Sequence, residues 1–431
     1  MADHAHSDDP AVQAQLNRLT MLSPGRDVLG LERISALMAR LRNPHQSLPP
    51  VFHVAGTNGK GSTCAFLRAA LEAAGKSVHV YSSPHLVRFN ERIRVAGKLI
   101  GDAALAPLLA EVLDCSKNIH PSFFEATTAA ALLAFARTPA DAVIIEVGLG
   151  GRLDATNIID RPLVCGIAQL GIDHQSFLGE TLIEIAGEKA GIAKSGVPLV
   201  TMKYPTGIAE KVGEGAAQRG AIWHPKSSDW DSIIYNNMLQ YKDISGKLVL
   251  PLPVMAGHHQ ADNAALAIAM LRHQSAIAVP ESALRAAMGW AHWPARLQRL
   301  APGPLTGTRE VWLDGGHNEA AGKVIAAHFA RILPPDAKLH IIAGVLANKD
   351  AKGLLSHFAG LADRLIAIPV TDHPCHPPQD LADIASLLGM TSATANGLED
   401  AVAQSGDAPL LILGSLYLAG DALKANEQVP E

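Results

Sequence analysis

A lysine flanked by glycines and followed by a serine closes the run Val51-Phe52-His53-Val54-Ala55-Gly56-Thr57-Asn58-Gly59-Lys60-Gly61-Ser62. Val51, Phe52, Val54 and Ala55 predict a buried strand, and the three glycines let backbone N–H groups converge without Cβ clashes. Lys60 supplies a cation. Ser62 puts a hydroxyl at a helix N-terminus, where the dipole favours an anion. That chemistry suits the polyphosphate of a nucleotide with its magnesium: Lys60 reaches the terminal phosphates, and Ser62 ligates a hard ion that prefers oxygen. The spacing departs from the usual phosphate loop in two places. Gly61 stands between Lys60 and Ser62, and Val54 occupies the place of the first glycine.

Further polar clusters close other predicted strands, the edge at which open α/β sheets bind ligands. Glu146 ends the apolar run Ala142-Val143-Ile144-Ile145 downstream of the glycine loop, as an acid that holds magnesium directly or through water would. The glycine-rich Gly148-Leu149-Gly150-Gly151-Arg152-Leu153-Asp154-Ala155-Thr156-Asn157 follows and lets a ligand approach the backbone. Asp173-His174 is expected at the end of the strand that starts at Leu163, on the same edge as Glu146, which suits His174 to metal ligation. Lys189, in the helix beyond, reads on its residues alone as a surface lysine. Asp314-Gly315-Gly316-His317-Asn318, at a strand-to-helix turn, faces a ligand. With Arg296 before it and Asn263 on an earlier helix, it suggests a nucleotide clamped between two domains.

The elements that must position these groups alternate. Helices are expected over Leu31 to Leu41, Ser62 to Ala74, Asp102 to Asp114, Ser122 to Arg137 and Glu180 to Ile192, with strands at Val78 to Tyr81, Ala142 to Val147, Leu163 to Ala168 and Val197 to Met202. Ser23-Pro24-Gly25 reads as a turn, and the residues before Pro10 as a frayed polar tail. Such alternation means a mostly parallel sheet covered on both faces. The pattern changes near Ala221, and Ile233 to Pro253 alternates as antiparallel strands would, followed by helices at His258 to Arg272 and Glu281 to Trp290. A second alternating run has strands at Glu310 to Leu313, Lys338 to Ala343, Arg364 to Ile368 and Leu410 to Leu413. The fold class is therefore α/β: a phosphate-loop domain over residues 1–295, with a small antiparallel subsheet, and a smaller Rossmann-like domain over residues 296–431.

The bulk properties narrow the function. Net charge is −5 over 431 residues, so no basic excess marks a nucleic-acid binder. None of the four cysteines forms a Cys-x-x-Cys pair, which fits free thiols in a reducing compartment. The N-terminus lacks a signal-peptide layout and no apolar run reaches spanning length, so a cytoplasmic protein without membrane contact is expected.

The motifs, taken together, resemble the bacterial folylpolyglutamate synthase and dihydrofolate synthase family of the Mur ligase superfamily. The matching stretches are Leu29-Gly30-Leu31-Glu32-Arg33, Gly56 to Ser62, Ser82-Ser83-Pro84-His85-Leu86, Asn90 to Val95, Phe124-Glu125, Glu146 to Asn157, Asp173-His174, Glu188-Lys189-Ala190-Gly191-Ile192, Asp314 with His317-Asn318, and Asn348-Lys349-Asp350. The Lys-Gly-Ser ending of the loop and the Ser-Ser-Pro-His-Leu stretch separate this family from the Mur enzymes proper.

The resemblance implies an ATP-dependent amide ligase. A carboxylate of dihydropteroate or of a reduced folate attacks the γ-phosphate and becomes an acyl phosphate, and the amine of L-glutamate then displaces phosphate. It further implies that Thr57, Asn58, Gly59, Lys60, Gly61, Ser62, Asn263, Arg296 and Asp314 contact ATP. Ser62, Ser83, Glu146, His174 and Lys189 would hold two magnesium ions, Lys189 as a carbamate formed from carbon dioxide. Lys60, Lys189 and His174 would serve catalysis. Ser122, Phe123, Phe124, Glu125, Leu153, Asp154 and Ala155 match pteroate-contacting positions, and His317 and Ser415 lie on the glutamate side. A monomer is implied. Two departures bear on the second domain: Asp314-Gly315-Gly316-His317-Asn318-Glu319 replaces an Asp-Val-Ala-His-Asn-Pro pattern, and Pro294-Ala295-Arg296 replaces Pro-Gly-Arg, which puts the local backbone in question. An enzyme with one of the two activities, a Mur-type ligase of cell-wall synthesis, or a switch that hydrolyses ATP slowly would share part of this pattern.

Overall fold

Apolar runs of four or five residues, each followed by a helix, leave the strands no route to an antiparallel neighbour and drive parallel pairing. The computed structural model describes residues 5–22 and 29–431, so the turn expected at Ser23-Pro24-Gly25 lies outside the described residues. Among those described, β1 (Val51–Ala55), β2 (Val78–Tyr81), β3 (Ile93–Val95), β4 (Lys98–Leu99), β5 (Ala142–Glu146), β6 (Val164–Ile167), β7 (Pro198–Thr201) and β8 (Ile222–Pro225) form one sheet in the order β4-β3-β2-β5-β1-β6-β7-β8. Only the two pairings of β3, with β2 and with β4, are antiparallel within it. β1 lies between β5 and β6, with Val54 opposite Glu146 and Ala55 opposite Ile167. The loops that follow these three strands therefore open side by side.

Sequence spacing places most elements within a residue or two, and the differences have local causes. The helix after β1 spans Lys60–Ala73, two residues ahead of the expected Ser62 start, because Gly59 at φ 85° closes the turn at once. β6 ends at Ile167, so Asp173-His174 stands six residues beyond the strand rather than at its end. The helix Phe123–Arg137 is buried nearly all round, which is why its Ala-rich sequence shows little periodicity. β3, β4 and β8 are short and carry no clear alternation, and sequence reading leaves them as loop. Ala5, in the expected frayed tail, is buried, and Asp9 caps the helix Pro10–Thr20 by accepting from Ala11 and Val12 N–H.

The chain divides into two compact units. The first runs to Val254 and continues over Ala261–His292; the second comprises Met255–Gln260 and Trp293–Pro430, so the expected boundary at 295/296 falls three residues inside it. The first unit also holds the antiparallel sheet β9 (Trp230–Tyr235), β10 (Met238–Asp243) and β11 (Gly246–Pro251), which buries Trp230, Leu239, Tyr241, Leu248 and Leu250 on one face. In the second unit β12 (Gln298–Arg299), β13 (Val311–Asp314), β14 (Leu339–Ala343), β15 (Ala362–Ala367), β16 (Thr391–Thr394) and β17 (Leu410–Leu413) pair in the order β12-β13-β17-β14-β15-β16. All but β12 are parallel. The polar Thr391-Ser392-Ala393-Thr394 gives no strand signal of its own; the edge position beside β15 makes it one. No helix among the described residues is long and apolar enough to cross a membrane.

Candidate active site

The glycine loop is built from both ends. Thr57 and Asn58 donate their N–H groups to the Gln169 carbonyl at 2.9 and 3.1 Å, and the Thr57 hydroxyl donates to Gly171 O at 3.0 Å. Thr63 N–H is the first to close an intrahelical bond, to Gly59 O. The N–H groups of Lys60, Gly61 and Ser62 thus belong to the first turn, which a helix leaves without internal acceptors and which attracts anions. Lys60 Nζ lies 3.5 Å from Thr57 O, half-buried over the loop. A Cβ on Gly59 would stand 2.3 Å from Asn263 Oδ1, so the structure brings Asn263 against the loop.

Lys189 is not a surface lysine. Its residue is 4% exposed and its Nζ donates to Gly56 O at 3.0 Å, beneath the glycine loop. Burial, and after it the charge of Lys60, pushes the Lys189 ammonium down to about 7, against the opposing pull of Asp173, Asp154 and Glu188. The sequence signal for this burial lies in two glycines. A Cβ on Gly151 would meet Glu188 O at 2.8 Å, and one on Gly191 would meet Arg152 Cβ at 2.3 Å. The loop after β5 therefore packs directly on the helix Leu182–Ala190, with Arg152 N–H donating to Glu188 O at 2.8 Å.

Asp154 is the organiser of that loop. It is buried, accepts Leu149 N–H on one oxygen, and accepts both N–H and hydroxyl of Thr156 on the other. The Thr156 hydroxyl, donating to Asp154, accepts from His53 Nε2 at 2.8 Å. Burial pushes His53 down to about 3, so the imidazole is neutral. No local pattern in the sequence announces this chain from β1 to the loop, because a His inside an apolar strand gives no partner signal. Burial raises the Asp154 carboxyl, while Thr156, Leu149 and the charge of Lys60 oppose the shift.

Further oxygen donors close or follow β1, β5 and β2, which are neighbours in the sheet. Ser62 is buried in the first helical turn and Glu146 is buried at the end of β5. The buried Cys64 thiol is pushed up first by burial and then by the Glu146 charge, with Lys60 opposing. Ser83 sits half-buried on a loop held by Glu91, whose carboxylate accepts Leu86, Val87 and Arg88 N–H at 2.8, 3.0 and 2.7 Å. Hydroxyl and carboxylate oxygens are the donors a hard divalent cation takes. Among the described residues no three His, Cys, Asp or Glu side chains cluster as a metal site. His174, in left-handed backbone at φ 53°, begins the short helix Gln175–Leu178, and its N–H donates to Asp173 Oδ1 at 2.8 Å.

The residues matched to the pteroate position divide by use. Ser122 caps the helix Phe123–Arg137, and Glu125 returns the bond to Ser122 N–H at 2.6 Å while accepting from Arg33 Nε at 2.9 Å. Phe124 lies against Gly148, where a Cβ would be 2.3 Å from the ring, so this helix end reaches the loop after β5. Phe123 packs edge-on to Phe89. Leu153 is half-buried and Ala155 buried beside Asp154.

In the second unit, Asp314 is buried and accepts Leu297 N–H and Gly316 N–H, both at 2.7 Å. Burial raises its carboxyl; the Arg296 charge is the largest opposing influence. His317 Nδ1 is 2.9 Å from Gly315 O, and Ser415 is buried as the cap of the helix Leu416–Ala425. Asp314 pairs in register with Leu413, and Gly414 N–H donates to Gly316 O at 3.1 Å, so the His317 and Ser415 turns adjoin.

Comparison with known proteins bears on this arrangement. A family model described as dihydrofolate synthetase, C-terminal domain, matches residues 304–425. The chain is 37% identical over 345 residues to the dihydrofolate synthase/folylpolyglutamate synthase of Escherichia coli (strain K12), over 79% of this chain and 78% of that one. It is similar in structure to E. coli FolC in complex with DHPP and ADP, with a TM-score of 0.88 at 31% identity over 97% and 98% of the two chains. It is similar also to a bifunctional folylpolyglutamate synthase/dihydrofolate synthase with Mn, AMPPNP and L-glutamate bound, with a TM-score of 0.84 at 31% identity over 97% and 99%.

Proposed function

The chain belongs to the dihydrofolate synthase/folylpolyglutamate synthase family, and from that premise we propose that it joins L-glutamate to dihydropteroate and to reduced folates in an ATP-driven reaction through an acyl phosphate. The observation that carries this reading is the buried Lys189 amine under the glycine loop, 3.0 Å from Gly56 O and held down to about 7. An ordinary phosphate loop needs one lysine, and a second in its floor needs a chemical use.

That use is carbamylation. The neutral Nζ adds to the carbon of carbon dioxide and releases a proton, which replaces a cation by an N-carboxylate with two oxygen donors. Ser62, Ser83 and Glu146 would hold one magnesium ion, and His174 with the Lys189 carbamate a second. Magnesium, when bound, neutralises charge on the transferring phosphoryl group and orients the reacting oxygens. The first-turn N–H groups of Lys60, Gly61 and Ser62 cradle the phosphates, and the Lys60 ammonium offsets repulsion between the acceptor carboxylate and the γ-phosphate. Thr57, Asn58 and Gly59 shape the loop, and Asn263 and Arg296 contact ATP. Asp314, each of whose oxygens accepts one backbone N–H, retains lone pairs for it.

The acceptor lies along Ser122, Phe123, Phe124 and Glu125 and the Leu153-Asp154-Ala155 loop. Its carboxylate oxygen attacks the γ-phosphorus and ADP leaves. His317 and Ser415 receive L-glutamate, whose neutral amine attacks the acyl carbon. The carbon–oxygen bond to phosphate breaks, leaving an amide, phosphate and a proton. Purified protein with ATP, magnesium and L-glutamate is expected to release phosphate when given dihydropteroate, and separately when given tetrahydrofolate. Response to only one acceptor would assign a single activity. Release that ignores both would overturn the folate reading and favour a switch.

A further inference from the structure

Arg296 is flanked by two residues in the left-handed region, Ala295 at φ 55° and Leu297 at φ 42°. Neither is glycine, and both are buried, so the strained turn is built into the unit rather than left at a free surface. A strained turn persists only where its surroundings over-determine it. Here they do. Gln298 Oε1 accepts Ala295 N–H at 2.9 Å, and Asp314 Oδ2 accepts Leu297 N–H at 2.7 Å. In the peptide that joins Ala295 to Arg296, the Ala295 carbonyl accepts Gly315 N–H at 3.0 Å and Arg296 Nη1 at 2.8 Å. Gly315 leaves room for the guanidinium, since a Cβ there would stand 3.0 Å from Nη1. Gln298 itself is fixed by pairing with Leu313 in the β12–β13 ladder.

The arginine is therefore tied to a carbonyl whose own residue is held in place by the Gln298 amide. Nothing in the roles assigned above uses Gln298. We propose that Gln298 is a positioning residue for Arg296: by holding Ala295 in the left-handed turn, its side-chain oxygen sets the direction in which the guanidinium is presented to ATP. This rests on the reading that Arg296 contacts ATP. Glycine adopts such a turn without strain; alanine does not, so in this chain the turn depends on its lock.

The dependence gives a test with an internal control. ADP affinity by calorimetry and KM for ATP are measured for the parent and for Arg296→Ala, Gln298→Leu, Gln298→Glu and the double variant Ala295→Gly/Gln298→Leu, with thermal melting of each. Gln298→Leu is expected to weaken ADP binding and raise KM for ATP about tenfold, in the direction of Arg296→Ala, with KM for dihydropteroate unchanged. Gln298→Glu keeps an acceptor oxygen and stays within about threefold of the parent, and the double variant recovers to the same range because glycine needs no lock. If Gln298→Leu does not fold, the double variant decides: recovery supports the proposal, and a KM as high as that of Arg296→Ala overturns it. If Arg296→Ala weakens nucleotide binding while Gln298→Leu matches the parent, the positioning role is wrong and the reading of Arg296 stands. If Arg296→Ala itself leaves binding unchanged, that reading falls and the proposal with it.

Discussion

Replacing Lys60 with alanine is expected to lower turnover by about 10²–10³-fold or more, the size of effect seen when a preorganised charge is removed from a developing anion. The reaction brings a carboxylate onto a triphosphate, and the cation is needed most where negative charge is being transferred. Loss should therefore fall on kcat more than on KM for ATP, since the first-turn N–H groups and the helix dipole still hold the phosphates. A second consequence follows from the geometry. Lys60 is one of the influences that push Lys189 down, so without it the Lys189 amine moves back toward its ordinary range and the neutral form becomes scarcer. Phosphate release and the melting temperature, measured together, check this. Turnover within tenfold of the parent in a folded Lys60→Ala protein would mean that the loop does not serve phosphoryl transfer.

Lys189→Ala should lose most turnover, and short carboxylates such as formate or acetate should restore part of it by supplying the missing oxygen donors. The parent has a pH signature of defined sign. Because burial disfavours the charged amine, Lys189 is neutral above about 7 and protonated below it. Carbamate formation therefore grows as pH rises through that value, and turnover in solutions depleted of carbon dioxide should fall most steeply on the acid side. In the uncarbamylated protein the same shift acts on stability. The unfolded chain holds this proton up to the ordinary lysine range while the folded chain releases it from about 7 upward, so stability gains with rising pH across that window and carries the full burial cost below it. A carbamate carbon resonance from ¹³C-labelled carbon dioxide should appear in the parent and vanish in Lys189→Ala. Full activity of Lys189→Ala would reject the role outright.

How much of this was legible in the sequence depends on whether a residue's partners are near it in the chain. Glu146 and the glycine loop were legible because β1 and β5 are apolar runs that end in polar residues, and parallel pairing puts Val54 opposite Glu146. Lys189 was not legible from its own neighbours. Its burial comes from Gly56, one hundred and thirty-three positions away, and from a loop that reaches the helix through Gly151 and Gly191. The His53–Thr156–Asp154 chain and the hold of Gln169 on the loop are likewise long-range contacts with no local spacing. Asp173-His174 is expected at a strand end, but the ladder stops at Ile167, and a loop whose Gln169 carbonyl is taken up by Thr57 and Asn58 N–H carries the pair six residues further, a long-range contact that no local spacing announces. The Pro294-Ala295-Arg296 departure put the backbone in question, and the answer is that Ala295 takes the left-handed turn and is held there by Gln298.

The acyl phosphate is the claim on which the assigned roles converge, and isotope transfer addresses it directly. Dihydropteroate labelled with ¹⁸O in its carboxylate is turned over with ATP, magnesium and L-glutamate, and the released phosphate is analysed by mass spectrometry. Attack of the carboxylate on the γ-phosphorus predicts one ¹⁸O in each phosphate formed along with dihydrofolate. Phosphate that carries no label while dihydrofolate accumulates would contradict the account.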